Sequence, residues 1–211
     1  MIIYLTGIDG SGKSTIAKEI KKKLSTNTSC ELVWARYEPK FVKMIITPFK
    51  KKHISKGSDY NSMSAKEYSQ WNQRKKKFTK NKLLSRVLFF IQYLEYSYQI
   101  RNILRKRNNT NLIIDRYVLD FIIDQTINYG NIEDSIWVKI LLKKLKKIDK
   151  VIFIDVDETK AFSRKNDIPS IEYLTDRRII YSKYIKKLTN GYIIENNGNI
   201  SNTIDSINNI I

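Results

Sequence analysis

The first 24 residues contain the feature that most constrains the fold of this chain. A short apolar segment from Ile2 to Leu5 leads into Gly7-Ile8-Asp9-Gly10-Ser11-Gly12-Lys13-Ser14-Thr15, and helical periodicity follows from Ile16 to Leu24. This order of a strand, a glycine-rich turn and a helix that opens on Lys-Ser matches the pattern G-x-x-x-x-G-K-[ST], in the structural context that the pattern requires. We name residues 7–15 the phosphate loop.

The expected chemistry of the phosphate loop explains its residue types. Glycines let the backbone wrap a polyphosphate with its N–H groups pointing inward, and the following helix presents its unpaired N-terminal donors. Lys13 is expected to reach the outer phosphates of ATP, while the Ser14 hydroxyl would ligate the bridging Mg²⁺. The predicted ATP-binding residues are Gly7, Gly10, Ser11, Gly12, Lys13 and Ser14.

Length and composition limit the class of protein. The 211 residues fit a single domain spanning 1–211. Met1 leads directly into the first strand, and no apolar run approaches the roughly 18 residues of a membrane span, so we expect a cytoplasmic protein without a membrane partner. The single cysteine, Cys30, excludes an internal disulfide framework and a cysteine-based metal cluster. The net charge of +18 is consistent with anionic small-molecule ligands and leaves a nucleic-acid surface as an alternative.

Beyond the first helix, apolar segments alternate with helical patterns. Four further strands are predicted at Cys30 to Arg36, Thr110 to Ile114, Val151 to Val156 and Gly191 to Glu195. Helices are predicted at Leu83 to Lys106, Val118 to Asn128, Asn131 to Lys147, Glu158 to Lys165, Ser170 to Leu188, and from Ser201 onward. This alternation predicts an α/β fold in which a five-stranded parallel sheet carries helices on both faces.

Two segments are interpreted as coverings of the sheet's ligand-binding edge. The less regular residues 40–82 are expected to form a helical flap on the substrate side, although their basic runs are also typical of a solvated surface. The basic residues between 164 and 178 flank a break at Pro169, and they are expected to form a lid that neutralises charge on the transferred phosphoryl group.

Several polar residues follow strands or interrupt apolar helices, where they could bind a substrate. Arg36 and Glu38 follow the second strand, and Asp115-Arg116-Tyr117 follows the third. A carboxylate at Asp115 can hold the water shell of Mg²⁺, and the planar fork of Arg116 suits a phosphate. Gln92, Glu95 and Gln99 share one helix face, and they either bind a base or sugar or form the solvated side of their helix. Asp120 and Asp124 also share a face, and they either bind substrate hydroxyls or offset nearby positive charge.

Three motifs together resemble a known family. The chain resembles the thymidylate kinases and their relatives among the P-loop nucleoside monophosphate kinases. The motifs that carry the resemblance are GIDGSGKST at 7–15, DRY at 115–117, and Asp155-Val156-Asp157 followed by Ala161 and Arg164. The resemblance runs nearly end to end in element order. It implies the three-layer α/β/α fold of a P-loop NTPase, ATP and Mg²⁺ as cofactors, dTMP as phosphoryl acceptor, and a homodimer.

The resemblance also implies a role for individual residues. Lys13, Ser14 and Thr15 would hold ATP and Mg²⁺, with Asp115 supporting the metal. Asp9 would approach the acceptor nucleotide, and Arg116 would grip its phosphate beside Tyr117. Arg164 corresponds to an arginine at the nucleotide end of the family's lid. Taking pattern and resemblance together, the predicted catalytic charges are Lys13, Arg116 and Arg164, and Thr15 and Arg164 join the predicted ATP-binding residues. The predicted substrate-binding residues are Asp9, Arg36, Glu38, Gln92, Arg116, Tyr117 and Asp120.

Departures from the family pattern leave two other functions open. The third long helix reads LFFIQYLEYSYQI without the family's arginine, and VLDFIID replaces the serine and threonine that commonly follow DRY. The Glu-Pro pair at 38–39 and Gln92 are similar to features of deoxynucleoside kinases, in which Glu38 would act as a base toward a sugar hydroxyl. The third interpretation is a nucleic-acid-binding protein gated by ATP, which the basic charge favours.

Overall fold

The computed structural model describes residues 1–26, 28–41, 44, 82–105, 111–130 and 132–211. Most of the predicted flap at 40–82 therefore lies outside the described residues. The strands are β1 (Ile2–Thr6), β2 (Cys30–Trp34), β3 (Asn111–Asp115), β4 (Lys150–Asp155) and β5 (Gly191–Glu195). The helices of the described ranges are α1 (Lys13–Leu24), α2 (Lys82–Arg105), α3 (Val118–Tyr129), α4 (Ile136–Leu145), α5 (Glu158–Ser163), α6 (Ile171–Ile185) and α7 (Ile200–Asn208).

The five strands form one parallel sheet in the order β2-β3-β1-β4-β5. The predicted α/β fold with a five-stranded parallel sheet is thus confirmed. The register pairs Leu5 of β1 with Asp115 of β3, so the two predicted motifs leave the sheet side by side. Because all strands run the same way, the segments that follow β1, β3, β4 and β5 meet at one edge.

Alternation along β1 explains why both faces of the sheet are covered. Ile3 and Leu5 pack with α1 and α7 on one face, whereas Tyr4 packs with residues of α2, α3, α4 and α6 on the other. Cys30 is buried at the start of β2, as expected. In the part of the chain that the structure describes, no helix is both long and apolar enough to cross a membrane.

Two element boundaries differ from the predictions for identifiable reasons. Strand β2 ends at Trp34, so Arg36 lies in the segment beyond it, although the Ala35 N–H still donates to Asp115 O at 3.1 Å. Helix α4 begins at Ile136 because Ser135 caps it: the Ser135 hydroxyl accepts a hydrogen bond from Trp137 N at 3.4 Å.

Candidate active site

The phosphate loop connects β1 to α1 through backbone conformations that favour glycine. Gly10 and Gly12 have φ angles of 83° and 86°, in the left-handed region. A Cβ atom at Gly10 would lie 2.2 Å from Ala161 O, so the loop packs directly against the backbone of α5. Gly12 caps α1, and its carbonyl oxygen accepts from Ile16 N at 3.0 Å.

The Lys13 side chain folds back into the phosphate loop. Its ammonium donates to Gly7 O at 2.8 Å, Ile8 O at 2.7 Å and Ser11 Oγ at 3.1 Å. Burial and the nearby positive charge of Arg116 lower the pKa of Lys13 to about 8. The loop therefore concentrates a desolvated cation at the position predicted to receive phosphates.

Ser14 and Asp115 form the candidate metal site. The Ser14 hydroxyl donates to Asp115 Oδ2 at 2.8 Å, across the junction of α1 and β3. Asp115 Oδ1 is buried and has no hydrogen-bond partner among the described residues. A hydroxyl and a carboxylate with an unsatisfied oxygen fit Mg²⁺, which binds proteins through one or two carboxylates together with water and substrate phosphates.

Arg116 lies between two carboxylates. Its NH2 group forms a short ion pair with Asp9 of the phosphate loop, and its NH1 group donates to Asp120 Oδ1 at 3.3 Å. Burial opposes the charge on Arg116, but Asp9 and Asp120 raise its pKa well above the ordinary value. Burial likewise raises the pKa of Asp9, yet Arg116 and Lys13 outweigh that effect and hold it well below the usual range. The structure thus brings the predicted acceptor-side residues Asp9 and Arg116 together.

Asp120 and Tyr117 lie deeper than a residue at the surface of a cleft. Asp120 is 3% exposed, and its carboxylate accepts hydrogen bonds from Tyr4, Thr6 and Tyr181 as well as from the Tyr117 backbone. Tyr117 is 4% exposed and caps α3 through that backbone bond. Asp120 therefore contacts the site through Arg116.

The segment after β2 is held by the polar face of α2. The Glu95 carboxylate accepts from Tyr37 OH at 2.8 Å, Lys40 N at 2.6 Å and Phe41 N at 2.8 Å. Gln99 Nε2 donates to Glu38 O at 2.7 Å. Two of the three residues that shared a predicted face thus fix the backbone of residues 37–41.

The remaining predicted acceptor-side residues occupy different environments. Gln92 is buried and its Nε2 donates to Tyr129 OH at 2.6 Å, while its Oε1 has no partner among the described residues. The Glu38 side chain is exposed. Burial raises the pKa of Asp9, but nearby positive charges lower it overall, and Arg36 is close enough to be one of them. Ser14 and Thr15 are on the exposed side of the first turn of α1.

Three arginines of the predicted lid make different contacts. Arg164 donates to Asn196 O at 3.2 Å and to Gly10 O at 3.5 Å, which places it against the outside of the phosphate loop. Arg177 pairs with Asp124 at 3.1 Å and stacks on the Tyr173 ring. Arg178 binds Asp155 and Glu158, so these two arginines join α6 to its neighbours.

Asn196 belongs to the site although the sequence patterns did not single it out. It follows β5, and its Nδ2 donates to Ser11 O at 2.9 Å while its Oδ1 accepts from Thr203 at 3.0 Å. The sequence Asn196-Asn197-Gly198 is itself typical of a turn. The available signal was its place after a strand, because the carboxyl ends of parallel strands share an edge.

Comparison with known proteins identifies the fold. No curated protein sequence matches the chain, but the Adenylylsulphate kinase family model matches residues 1–33, which contain β1, the phosphate loop and α1. The thymidylate kinase of Candida albicans matches with a TM-score of 0.54 and 19% identity, over 100% of this chain and 90% of that chain. The thymidylate kinase of Ehrlichia chaffeensis matches with a TM-score of 0.52 and 17% identity, over 100% and 97%.

The chain has the thymidylate kinase fold. Within this fold, the phosphate loop follows the central strand β1, and Asp115 and Arg116 follow the neighbouring strand β3. The fold therefore accounts for the proximity of the Ser14–Asp115 and Asp9–Arg116 pairs, which are 101 and 107 residues apart in the sequence.

Proposed function

We propose that this protein transfers the terminal phosphoryl group of ATP to a nucleoside monophosphate, with dTMP as the preferred acceptor. The observation that carries the proposal is the pairing of Ser14 with Asp115 beside the phosphate loop. One oxygen of Asp115 is buried and has no hydrogen-bond partner among the residues that the structure describes. The thymidylate kinase fold of the whole chain supports the choice of a nucleotide acceptor.

The proposed division of roles follows from the geometry. The phosphate loop binds the phosphates of ATP, with Lys13 as a mobile positive charge, and Arg164 closes the outer side of the loop. Ser14 and Asp115 hold Mg²⁺, which supplies charge neutralisation on the phosphates when bound. Arg116, oriented by Asp9, binds the acceptor phosphate. A phosphate oxygen is already anionic at neutral pH, so positioning and charge neutralisation suffice without a strong base.

The proposed acceptor site lies between the end of β2 and helix α2. Arg36, Glu38, Gln92 and Tyr117 are its proposed remaining residues, because Arg36 and Glu38 lie in the segment after β2, Gln92 lies on α2, and Tyr117 follows Arg116 directly. The Oε1 atom of Gln92 is buried and has no partner in the described part of the chain, which supports a polar contact with the ligand, since a buried oxygen is rarely left unsatisfied.

An ADP-release assay with ATP and Mg²⁺ tests this function against dTMP, dUMP, dCMP, dGMP, thymidine and deoxycytidine. Turnover with dTMP in the wild type, and none with Lys13→Ala, is the expected result. Turnover with a nucleoside alone would contradict the proposal; Glu38→Gln would then slow the reaction by roughly 10²-fold if Glu38 were the base. Absence of turnover on every acceptor would also contradict it.

We further propose that the protein forms a homodimer through α2. Val87, Leu94 and Tyr98 lie along one side of this helix and are 46%, 50% and 63% exposed. Exposed apolar residues that share one helix face support an association surface, since burying them against a second copy removes apolar area from water.

A further inference from the structure

The backbone at Arg116 adopts a conformation that side chains rarely take. Its φ angle is 67°, and among the described residues it is the single non-glycine residue with a positive φ. Such a conformation is unfavourable for a residue with a side chain and persists where the surroundings hold it in place. Arg116 N donates to Leu5 O at 3.2 Å, which fixes the backbone, so the side chain must be aimed by other contacts.

Asp120 supplies those contacts from a carboxylate that is itself rigidly held. Its Oδ2 accepts from Tyr4 OH at 2.6 Å, from Tyr117 N at 2.9 Å and from Thr6 Oγ1 at 3.2 Å. Its Oδ1 accepts from Tyr181 OH at 2.6 Å and from Arg116 NH1 at 3.3 Å. Donors from β1, α3 and α6 therefore converge on one buried carboxylate, and Arg116 is the cation among them.

The two carboxylates beside Arg116 leave part of its guanidinium available. Asp9 binds NH2 and Asp120 binds NH1, so one N–H on each terminal nitrogen is used. A guanidinium has five N–H donors in a planar fork. The plane is thus fixed at both ends. Among the residues that the structure describes, no acceptor is recorded for the second N–H of each terminal nitrogen or for the Nε–H, which can therefore bind a ligand oxygen.

We propose that Asp120 is a positioning residue, which orients Arg116 for the phosphate of the acceptor nucleotide without touching the nucleotide. This inference rests on the proposed function. It replaces the prediction that Asp120 binds substrate directly, because all the contacts of its carboxylate described above are with protein donors. Tyr4 and Tyr181 both donate hydrogen bonds to the Asp120 carboxylate. Because a hydroxyl donor pairs with an anion and not with a cation, the two tyrosines favour a negatively charged side chain at this position.

The test compares Asp120→Asn with Asp124→Asn and with Arg116→Lys. Asn keeps the size of the side chain and an oxygen for the Tyr117 cap but removes the charge that holds Arg116. Asp124→Asn is the matched control, because it makes the same change on the same helix, α3, at a carboxylate that pairs with Arg177 at 3.1 Å. KM for dTMP, KM for ATP, kcat and the thermal unfolding midpoint are measured for each variant and for Asp120→Asn combined with Arg116→Lys.

Asp120→Asn is expected to raise KM for dTMP by about ten- to a hundredfold, with KM for ATP within about twofold of the wild type, because the misplaced guanidinium serves the acceptor alone. In the Arg116→Lys background the same change should raise KM for dTMP by less than about threefold, since the oriented group is already absent. Asp124→Asn should leave both KM values within about twofold even if it lowers the unfolding midpoint.

Three results would overturn the inference, and they are distinguishable from one another. Equal rises in both KM values, additive with Arg116→Lys, would show that Asp120 acts on folding in general. An unchanged KM for dTMP in Asp120→Asn, with wild-type turnover intact, would overturn this inference alone. Wild-type protein that binds ATP but neither binds nor phosphorylates dTMP by calorimetry and ADP release would overturn the proposed function, and the positioning role with it.

Discussion

The charge of Lys13 depends on a balance between burial, which disfavours it, and contacts with oxygen atoms, which favour it. Its ammonium contacts three oxygens of the loop, yet burial and Arg116 lower its pKa to about 8. The folded protein thus favours the neutral amine more than the unfolded chain does, where the pKa is about 10.4. The positive charge is present below pH 8 and is lost as the pH rises through that value.

ATP affinity should therefore fall as the pH rises. Between about pH 7.5 and 9.5 the protonated fraction of a group with a pKa of about 8 falls about twentyfold, so Kd for ATP should rise by up to that factor. Isothermal titration calorimetry across this range measures it. In Lys13→Ala, Kd should be higher throughout and should vary less than about threefold with pH. A wild-type Kd that does not change over the range would contradict the assigned role of Lys13.

Gly10 gives a second prediction at the residue scale. Gly10→Ala places a Cβ atom 2.2 Å from Ala161 O in a backbone with φ of +83°, so both the loop and α5 must shift. We expect the free energy of unfolding to fall by about 1–3 kcal/mol and ATP binding to weaken at least about tenfold. Gly198→Ala is the control, because a Cβ there meets no atom within 4 Å. Chemical denaturation and calorimetry report the two quantities.

At the scale of elements, Arg178 joins three parts of the fold. From α6 it binds both oxygens of Asp155 at the end of β4, at 2.6 and 2.9 Å, and Glu158 of α5 at 2.9 Å. Helix α5 ends at Ser163, and its C-cap residue, Arg164, lies against the phosphate loop. Through α5, the position of Arg164 therefore depends on Arg178, an arginine of the predicted lid.

Arg178→Met should separate these elements. Loss of a bidentate pair and of a second carboxylate contact is expected to lower the free energy of unfolding by about 1–3 kcal/mol and to raise KM for ATP several-fold. Lys183→Met is the control on the same helix, because its pair with Glu133 is largely exposed and should contribute less than about 1 kcal/mol. A stability change in Lys183→Met as large as that in Arg178→Met would contradict this assignment.

The elements were more predictable from the sequence than the contacts between them. Alternating apolar segments located all five strands, and the glycine pattern located the loop, because both depend on neighbours within a few residues. The role of Glu95 was not predictable. Its carboxylate accepts hydrogen bonds from residues 37–41, which lie 54 to 58 residues earlier in the sequence. Asn196 and the tyrosines around Asp120 were missed for the same reason.

At the scale of the whole molecule, the apolar side of α2 sets the expected state of association. Val87, Leu94 and Tyr98 are at least 46% exposed on a helix whose polar side binds residues 37–41. Sedimentation velocity at micromolar concentration should therefore give about twice the 24.9 kDa mass of the chain. Leu94→Lys should shift the mass toward the monomer, because it places a charge within the apolar surface. Lys22→Leu, on α1, should leave the mass unchanged.

The candidate site draws on both ends of the chain. Ser11 lies in the loop after the first strand, yet its carbonyl oxygen is bound by Asn196, 185 residues later, after the last strand. The central strand β1 is flanked by β3 and β4, which come from the middle and later parts of the sequence. Contacts between residues so far apart in the sequence form only after large loops close, and they stabilise the fold only from that point. During synthesis the phosphate loop thus leaves the ribosome 185 residues before the asparagine that binds it, so the loop becomes rigid only after β5 has been made.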